Sequence, residues 1–220
     1  MFGRIPPVLK NLIIINSILF LASLVIPRLT GLLALFPFGS PLFHPYQFLT
    51  YMFMHGGWLH IFFNMYTLLF FGSVLEQVWG GRKFLLFYLV TGIGAALLHN
   101  GVIALKYSDL INLANQGDMV ALEQVRMVLL TPTVGASGAI YGVLMAFGML
   151  FPDRIVQLLI PPVALKAKWF VIIFAAIELL IGLSNAADGV AHFAHLGGML
   201  FGYLLILYWK HNGRMYYYEF

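Results

Sequence analysis

The chain contains no cysteine. That removes in one step a thiol nucleophile, a disulfide framework and thiolate metal ligation. Charge is almost as scarce: Asp, Glu, Lys and Arg supply 9% of the 220 residues, where a soluble domain carries roughly 25%. An internal repeat, a low-complexity tract and a polar segment of domain size are also missing. The formal net charge is +4, but the basic residues are scattered between apolar runs. They read as topology signals, not as contacts to nucleic acid.

What fills the chain instead is apolar sequence, 61% of it. A membrane-spanning helix needs about 20 mostly apolar residues. Six such runs follow one another, at about 9–26, 59–79, 84–105, 137–151, 169–183 and 190–209. Runs this long satisfy their backbone in lipid as helices. The expected fold is therefore all-α, a six-helix polytopic bundle forming one membrane domain over residues 1–220. The first run follows Arg4 and Lys10 as a signal peptide would. It lacks a small-x-small cleavage site and reads as an uncleaved first helix.

Placing the N-terminus inside puts Arg4, Lys10, Arg82, Lys83, Arg154, Lys166, Lys168, Lys210 and Arg214 on the inner side and only Arg28, Lys106 and Arg126 outside. This is a positive-inside bias with both termini cytoplasmic. The first outer connection, 27–58, is too rich in Leu, Phe and Pro to be fully solvated and is expected as short helical pieces in the outer interface. In the second, 106–134, Asp118 can cap a helix with Leu122, Val125 and Leu129 on one face, stopped at Thr131-Pro132. The stretch 153–168, with Pro161-Pro162 and ending in Lys166 and Lys168, reads as an inner connection skimming the interface. The fourth span is short, so its start at Ser137 should lie in a recess below the outer surface.

Polar side chains at membrane depth carry a desolvation cost and ask for a reason. Gly135-Ala136-Ser137-Gly138 puts a serine at the opening of the fourth span, where unpaired backbone N–H groups form an anion site. By itself Gly138-x-x-x-Gly142 is equally a packing motif. The sixth span carries His195, then Gly198-x-x-x-Gly202. Two small-residue faces can pack closely enough to bring Ser137 and His195 together as nucleophile and base. Asp188 falls in the loop before the sixth span and Glu178 in the middle of the fifth, so neither acid is expected to orient the histidine. A Ser–His dyad is favoured over a triad, with the ring of Tyr141, four residues after Ser137, stacking on His195 in place of the acid. His60 and Asn64, spaced i, i+4 on the second span, can both donate to an oxyanion; they can equally be glue between helices, as can His55 near the mouth. His192 and His195, spaced i, i+3, raise a metal site that His55, His60 and His99 could join. The His-Glu-x-x-His helix of a zinc protease is absent, and no metal or other cofactor is expected.

These elements, in this order, resemble the rhomboid intramembrane serine proteases. The resemblance rests on Gly135-Ala136-Ser137-Gly138 with Tyr141, on His55 and His60-x-x-x-Asn64, and on 191–202 with His195, Gly198 and Gly202. It covers about 9–209. It implies hydrolysis of peptide bonds in or near transmembrane segments, with Ser137 as nucleophile, His195 as general base, and His60, Asn64 and the Ser137 amide as the oxyanion site. It also implies a membrane-embedded first loop, a fifth span acting as a lateral gate, and single-span protein substrates with small residues at the cut. Where the family often has Trp-Arg in the first loop, this chain has Tyr46-Gln47. The loop between the third and fourth spans is longer than the resemblance leads one to expect, and Glu178 in the gate-like span is unusual. That carboxyl is expected either neutral and hydrogen-bonded or facing a water-filled cavity, in a structural role.

The expected partners are transmembrane protein substrates and the lipid bilayer, not nucleic acid; the oligomeric state is left open. A bacterial inner membrane, with the site opening outward, is the expected location. The alternatives are an inactive rhomboid-like factor that binds membrane proteins and a small transporter. Against the first stands the intact Ala136, Ser137 and His195; against the second, the lack of matching halves.

Overall fold

The computed structural model describes residues 4–157, 162–184 and 190–213. Among the described residues the chain is all-α apart from one small hairpin. Helix α1 (Pro7–Val25) opens with proline at its first position, where no N–H is needed. A short α2 (Arg28–Leu33), α3 (Gln47–Thr50) and a 3-10 turn (Tyr51–Phe53) make up the first connection. Next, α4 (Trp58–Thr67) runs through a π-helical stretch (Leu68–Gly72) into α5 (Ser73–Trp79), and α6 (Gly81–Lys106) follows. Then come α7 (Ser108–Asn115), α8 (Met119–Leu129), α9 (Ser137–Leu150), strands β1 (Ile155–Gln157) and β2 (Ala164–Lys166), α10 (Ala167–Leu183) and α11 (His192–His211).

Among the described residues, four helices are long and apolar enough to cross a membrane: α1, the continuous rod Trp58–Trp79, α6 and α11. Helix α9 is shorter and sits innermost, against α6, α10 and α11, with Gly138, Ala139, Ile140, Gly142 and Val143 all buried. The core around it is built from Phe84, Phe87, Tyr88, Ala96, Ile206 and Trp209. The outward faces are as apolar as the core: Val25, Phe62, Phe63, Leu180 and Leu200 are all exposed. Water does not tolerate that much exposed hydrocarbon, whereas lipid does. The protein is a multi-pass integral membrane protein.

Two buried side chains hold the irregular parts. Glu76 on α5 accepts from the N–H groups of Val8 (3.0 Å) and Leu9 (2.7 Å), capping α1 across 67 residues of sequence. Gln47, fully buried, accepts from Phe36 N (3.3 Å) and His44 N (3.1 Å) and donates to the carbonyls of Leu42 (2.9 Å) and Leu32 (3.4 Å). Gln47 therefore anchors the first connection, where the resemblance had led one to look for Trp-Arg. The same connection is pinned to the entrance of α9 by a reciprocal Leu35–Thr133 backbone pair (2.9 and 2.8 Å).

Three details differ from the sequence reading. The connection 106–134 holds a second helix, α7, whose strongest apolar signal was too short to register. Asp118 caps α8 as expected, accepting from Val120 N (2.9 Å) and Ala121 N (3.0 Å). The buried face of that helix, however, is Ala121 and Val125, with Leu122 exposed. The inner connection is a two-stranded antiparallel hairpin pairing Ile155 with Lys166. Asp153 bridges Lys168 (2.9 Å) and Lys166 (3.1 Å) at its base, and these hydrogen bonds, Lys168 first, lower its carboxyl pKa. Pro161, Asp188 and Arg214 lie outside the described residues.

Candidate active site

Ser137 is the first residue of α9. The first carbonyl-bonded amide of that helix is Ile140 N, to Ala136 O (3.0 Å). The N–H groups of Ser137, Gly138 and Ala139 therefore have no partner within the helix. Gly135 makes the approach possible: its φ of +134° is unfavourable for a side chain, and a Cβ there would lie 2.8 Å from His60 Nε2. The loop is held from below by Gly135 N donating to Tyr51 O (3.0 Å), while Tyr51 Oη donates to Gly92 O (2.7 Å).

His195 lies on the first turn of α11, buried, with Nε2 2.8 Å from Ser137 Oγ. Close packing of α9 and α11 makes the contact. A Cβ on Gly198 would meet Gly138 O at 1.8 Å, and one on Gly202 would meet Gly142 Cα and O at 3.2 Å. The ring of Tyr141 stacks on the His195 ring with centroids 4.2 Å apart and planes 7° from parallel. A Cβ on Gly142 would point instead to α6, meeting Thr91 Cβ at 2.6 Å.

His60 on α4 stands beside this loop, with Asn64 one turn further along the same helix. Gly56 N donates, at 3.4 Å, to His60 Nδ1. That contact favours the tautomer with hydrogen on Nε2, the nitrogen beside Gly135 and Ser137. Asn64 is buried and its Nδ2 has no hydrogen-bond partner among the described residues, so its donor stands unspent. His55 packs edge-on to His60 (centroids 5.1 Å). Burial, then the nearby His60, pushes the His55 pKa down to about 3, which keeps its imidazole neutral. His99 pairs with Thr133, Nε2 to Oγ1 at 3.0 Å.

The residue that sequence reasoning misplaced is Glu178. It sits in mid-α10 and is hydrogen-bonded, as expected, but it lies against the histidine it was not expected to reach. Its Oε2 is 2.6 Å from His192 Nδ1 and 3.0 Å from His195 Nδ1, while Tyr141 Oη donates to its Oε1. The His195 contact is within ion-pair reach but off the hydrogen-bond axis. Phe170, Phe174 and Glu178 share the inward stripe of α10 at i, i+4, i+8. That spacing is visible in the sequence, but in a helix apolar all round nothing marks which stripe faces in. The ligand atoms of Glu178, His192 and His195 all lie within 4.8 Å of one another, so this trio, rather than the histidines of α4 or α6, has the spacing of a metal cluster. Hydrogen bonds account for its contacts equally well.

Residues 43–211 match the rhomboid domain family. The chain belongs to the rhomboid family. Among known members, it is 31% identical over 160 residues to RHOMBOID-like protein 1 of Arabidopsis thaliana, covering 73% of this chain and 33% of that one. Rhomboid protein 1, mitochondrial, of Saccharomyces cerevisiae is 30% identical over 152 residues, 69% of this chain and 38% of that one. Rhomboid-like protease 5 of Toxoplasma gondii is 28% identical over 158 residues, 70% of this chain and 15% of that one. This rhomboid thus aligns with about a third of the length of the plant and yeast relatives, and the family match over residues 43–211 contains every site residue described above.

Proposed function

We propose that this rhomboid is an intramembrane serine endopeptidase, cutting peptide bonds in or near transmembrane segments of other proteins. The observation that carries the reading is the 2.8 Å contact between Ser137 Oγ and His195 Nε2 at the open end of α9. Ser137 Oγ attacks the scissile carbonyl carbon and its proton passes to His195 Nε2. The carbonyl oxygen becomes an oxyanion facing the Ser137 N–H, His60 Nε2 and Asn64 Nδ2. The intermediate collapses, the C–N bond breaks, and His195 returns the proton to the leaving amine. Water then attacks the acyl-serine, giving its proton to His195, which hands it back to Ser137 as the acid leaves. The residues alone carry this cycle, without metal or cofactor.

Six helices cross the membrane in this reading: the four long ones with α9 and α10, inside one domain over residues 1–220. The N-terminus is cytoplasmic by the distribution of Lys and Arg, and the site opens to the outer side. A bacterial inner membrane fits that orientation, and the substrates are single-span proteins admitted past α10.

The test is a fluorophosphonate probe on the detergent-solubilised protein, followed by cleavage of a transmembrane substrate. Labelling at Ser137, lost in Ser137→Ala and in His195→Ala with the fold intact, is the expected result. A folded wild-type protein that neither takes the probe nor cuts would make it an inactive, membrane-protein-binding member instead.

A further inference from the structure

We infer that Glu178 is a positioning residue for His195, so that the base is held by an acid from α10 and not by the Tyr141 ring alone. The inference rests on the proposed protease reading. It starts from the donor inventory around one buried carboxyl group. Tyr141 Oη can only donate to Oε1. His192 Nδ1 faces Oε2 at 2.6 Å, and a carboxylate oxygen accepts, so His192 carries its hydrogen there. His195 Nδ1 reaches the same Oε2 at 3.0 Å.

The Ser137 contact sets the fourth piece. For Ser137 to give up its proton, His195 Nε2 must be the bare nitrogen. The ring hydrogen of the neutral imidazole then sits on Nδ1, the atom facing Glu178. The carboxylate thus selects the working tautomer, and when Nε2 takes the serine proton the imidazolium forms beside a negative charge already in place. Glu178 neither gains nor loses a proton in the cycle. The off-axis His195–Glu178 geometry is what a resting site shows when the hydrogen bond tightens only with substrate bound.

The wiring also explains why a carboxylate is tolerated at this depth. Glu178 is 7% exposed on a helix whose other side, with Ile173, Ile177 and Leu180, faces outward. Three donors from α9 and α11 converge on it, so its desolvation is offset by charge-assisted hydrogen bonds. Because the acid rides on α10 while the serine and histidine ride on α9 and α11, the relay exists only while α10 is docked.

The experiment compares wild type with Glu178→Gln and Glu178→Asp, in detergent, by substrate turnover, by the rate of fluorophosphonate labelling at Ser137 and by thermal unfolding. The expected result is a Glu178→Gln protein that unfolds near the wild-type temperature and binds substrate with unchanged KM. Its kcat and labelling rate fall at least about tenfold, a loss bounded by the roughly 10⁴-fold seen when a triad acid is neutralised. Glu178→Asp recovers part of that loss. Equal kcat and labelling in Glu178→Gln overturn the inference while leaving the protease reading standing. No labelling in wild type sinks the protease reading itself. Should Glu178→Gln fail to fold, ¹⁵N spectra of histidine-labelled wild type, assigned by difference with His195→Ala, decide the matter. Hydrogen on His195 Nδ1 supports the relay, and hydrogen on Nε2 overturns it.

Discussion

Gly198 faces the carbonyl of Gly138 so closely that a Cβ on Gly198 would fall 1.8 Å from that oxygen. The two glycines belong to α11 and α9, the helices that carry His195 and Ser137, so the Ser137–His195 contact and the glycine contact are one packing event. Gly92, by contrast, meets the flexible end of the Met52 side chain, which can swing aside. Gly198 meets backbone, which cannot. Gly198→Ala should therefore separate the helices, costing roughly 1–3 kcal/mol as overpacking does, with activity lost together with stability. Gly202→Val, whose Cβ would start 3.2 Å from Gly142, should act in the same direction. Wild-type melting and turnover in Gly198→Ala would mean that α9 and α11 are not in contact there.

Gln47 should matter as much to the first connection as any apolar core residue. Four backbone groups depend on its amide, and truncation leaves buried partners unsatisfied at about 1–3 kcal/mol each. Gln47→Leu should lower stability by about 2 kcal/mol or more and open residues 27–58 to proteolysis, and Gln47→Glu, which keeps the acceptor but sets an oxygen against the Leu32 and Leu42 carbonyls, should be no milder. Limited proteolysis with mass readout checks both; equal resistance in Gln47→Leu would remove the glutamine as anchor.

How much of this was legible beforehand follows a physical line. Ser137, His195 and Tyr141 announce themselves because polar groups are rare in apolar helices and because glycines at i, i+4 predict close approach. The helices were legible for the same reason: long apolar runs admit no other backbone solution in lipid. Distances between helices leave no trace in a single run of residues. Glu178 looked remote from His195 because one lies in mid-helix and the other near a helix start, yet α10 and α11 stagger so that the two meet at 3.0 Å. The hairpin of β1 and β2 escaped because two three-residue strands carry too little alternation to register. Gln47 escaped because an amide in a connection looks like any surface polar group until its burial is known.

Glu76 offers a stability prediction away from the site. Its carboxylate caps α1 through Val8 N and Leu9 N, adding negative charge where the helix dipole is positive. Glu76→Gln keeps one acceptor and should cost about 1 kcal/mol, and Glu76→Leu, which keeps none, about 2 kcal/mol. Hydrogen exchange should rise at Val8 and Leu9 while probe labelling at Ser137 stays at the wild-type rate. Unchanged exchange at those two amides would show the cap to be dispensable.

Tyr141 is the position where the structure changes the expectation most. From the sequence its role is a ring laid on His195, which makes Tyr141→Phe nearly silent. The ring is there, 4.2 Å away and parallel, but the hydroxyl is also committed, donating to Glu178 Oε1. Removing it frees one carboxylate oxygen to rotate while Oε2 remains tied to His192. Tyr141→Phe should lower kcat severalfold with KM unchanged, a hydrogen bond to a charged group being worth about 1.5–3 kcal/mol and only part of that reaching the transition state. Tyr141→Ala, which also removes the stacked ring, should do much worse. The comparison separates the two roles: if Phe matches wild type and Ala is inactive, the ring alone matters. If Phe and Glu178→Gln lose activity to the same extent and the double variant loses no more, the hydroxyl acts through the carboxylate.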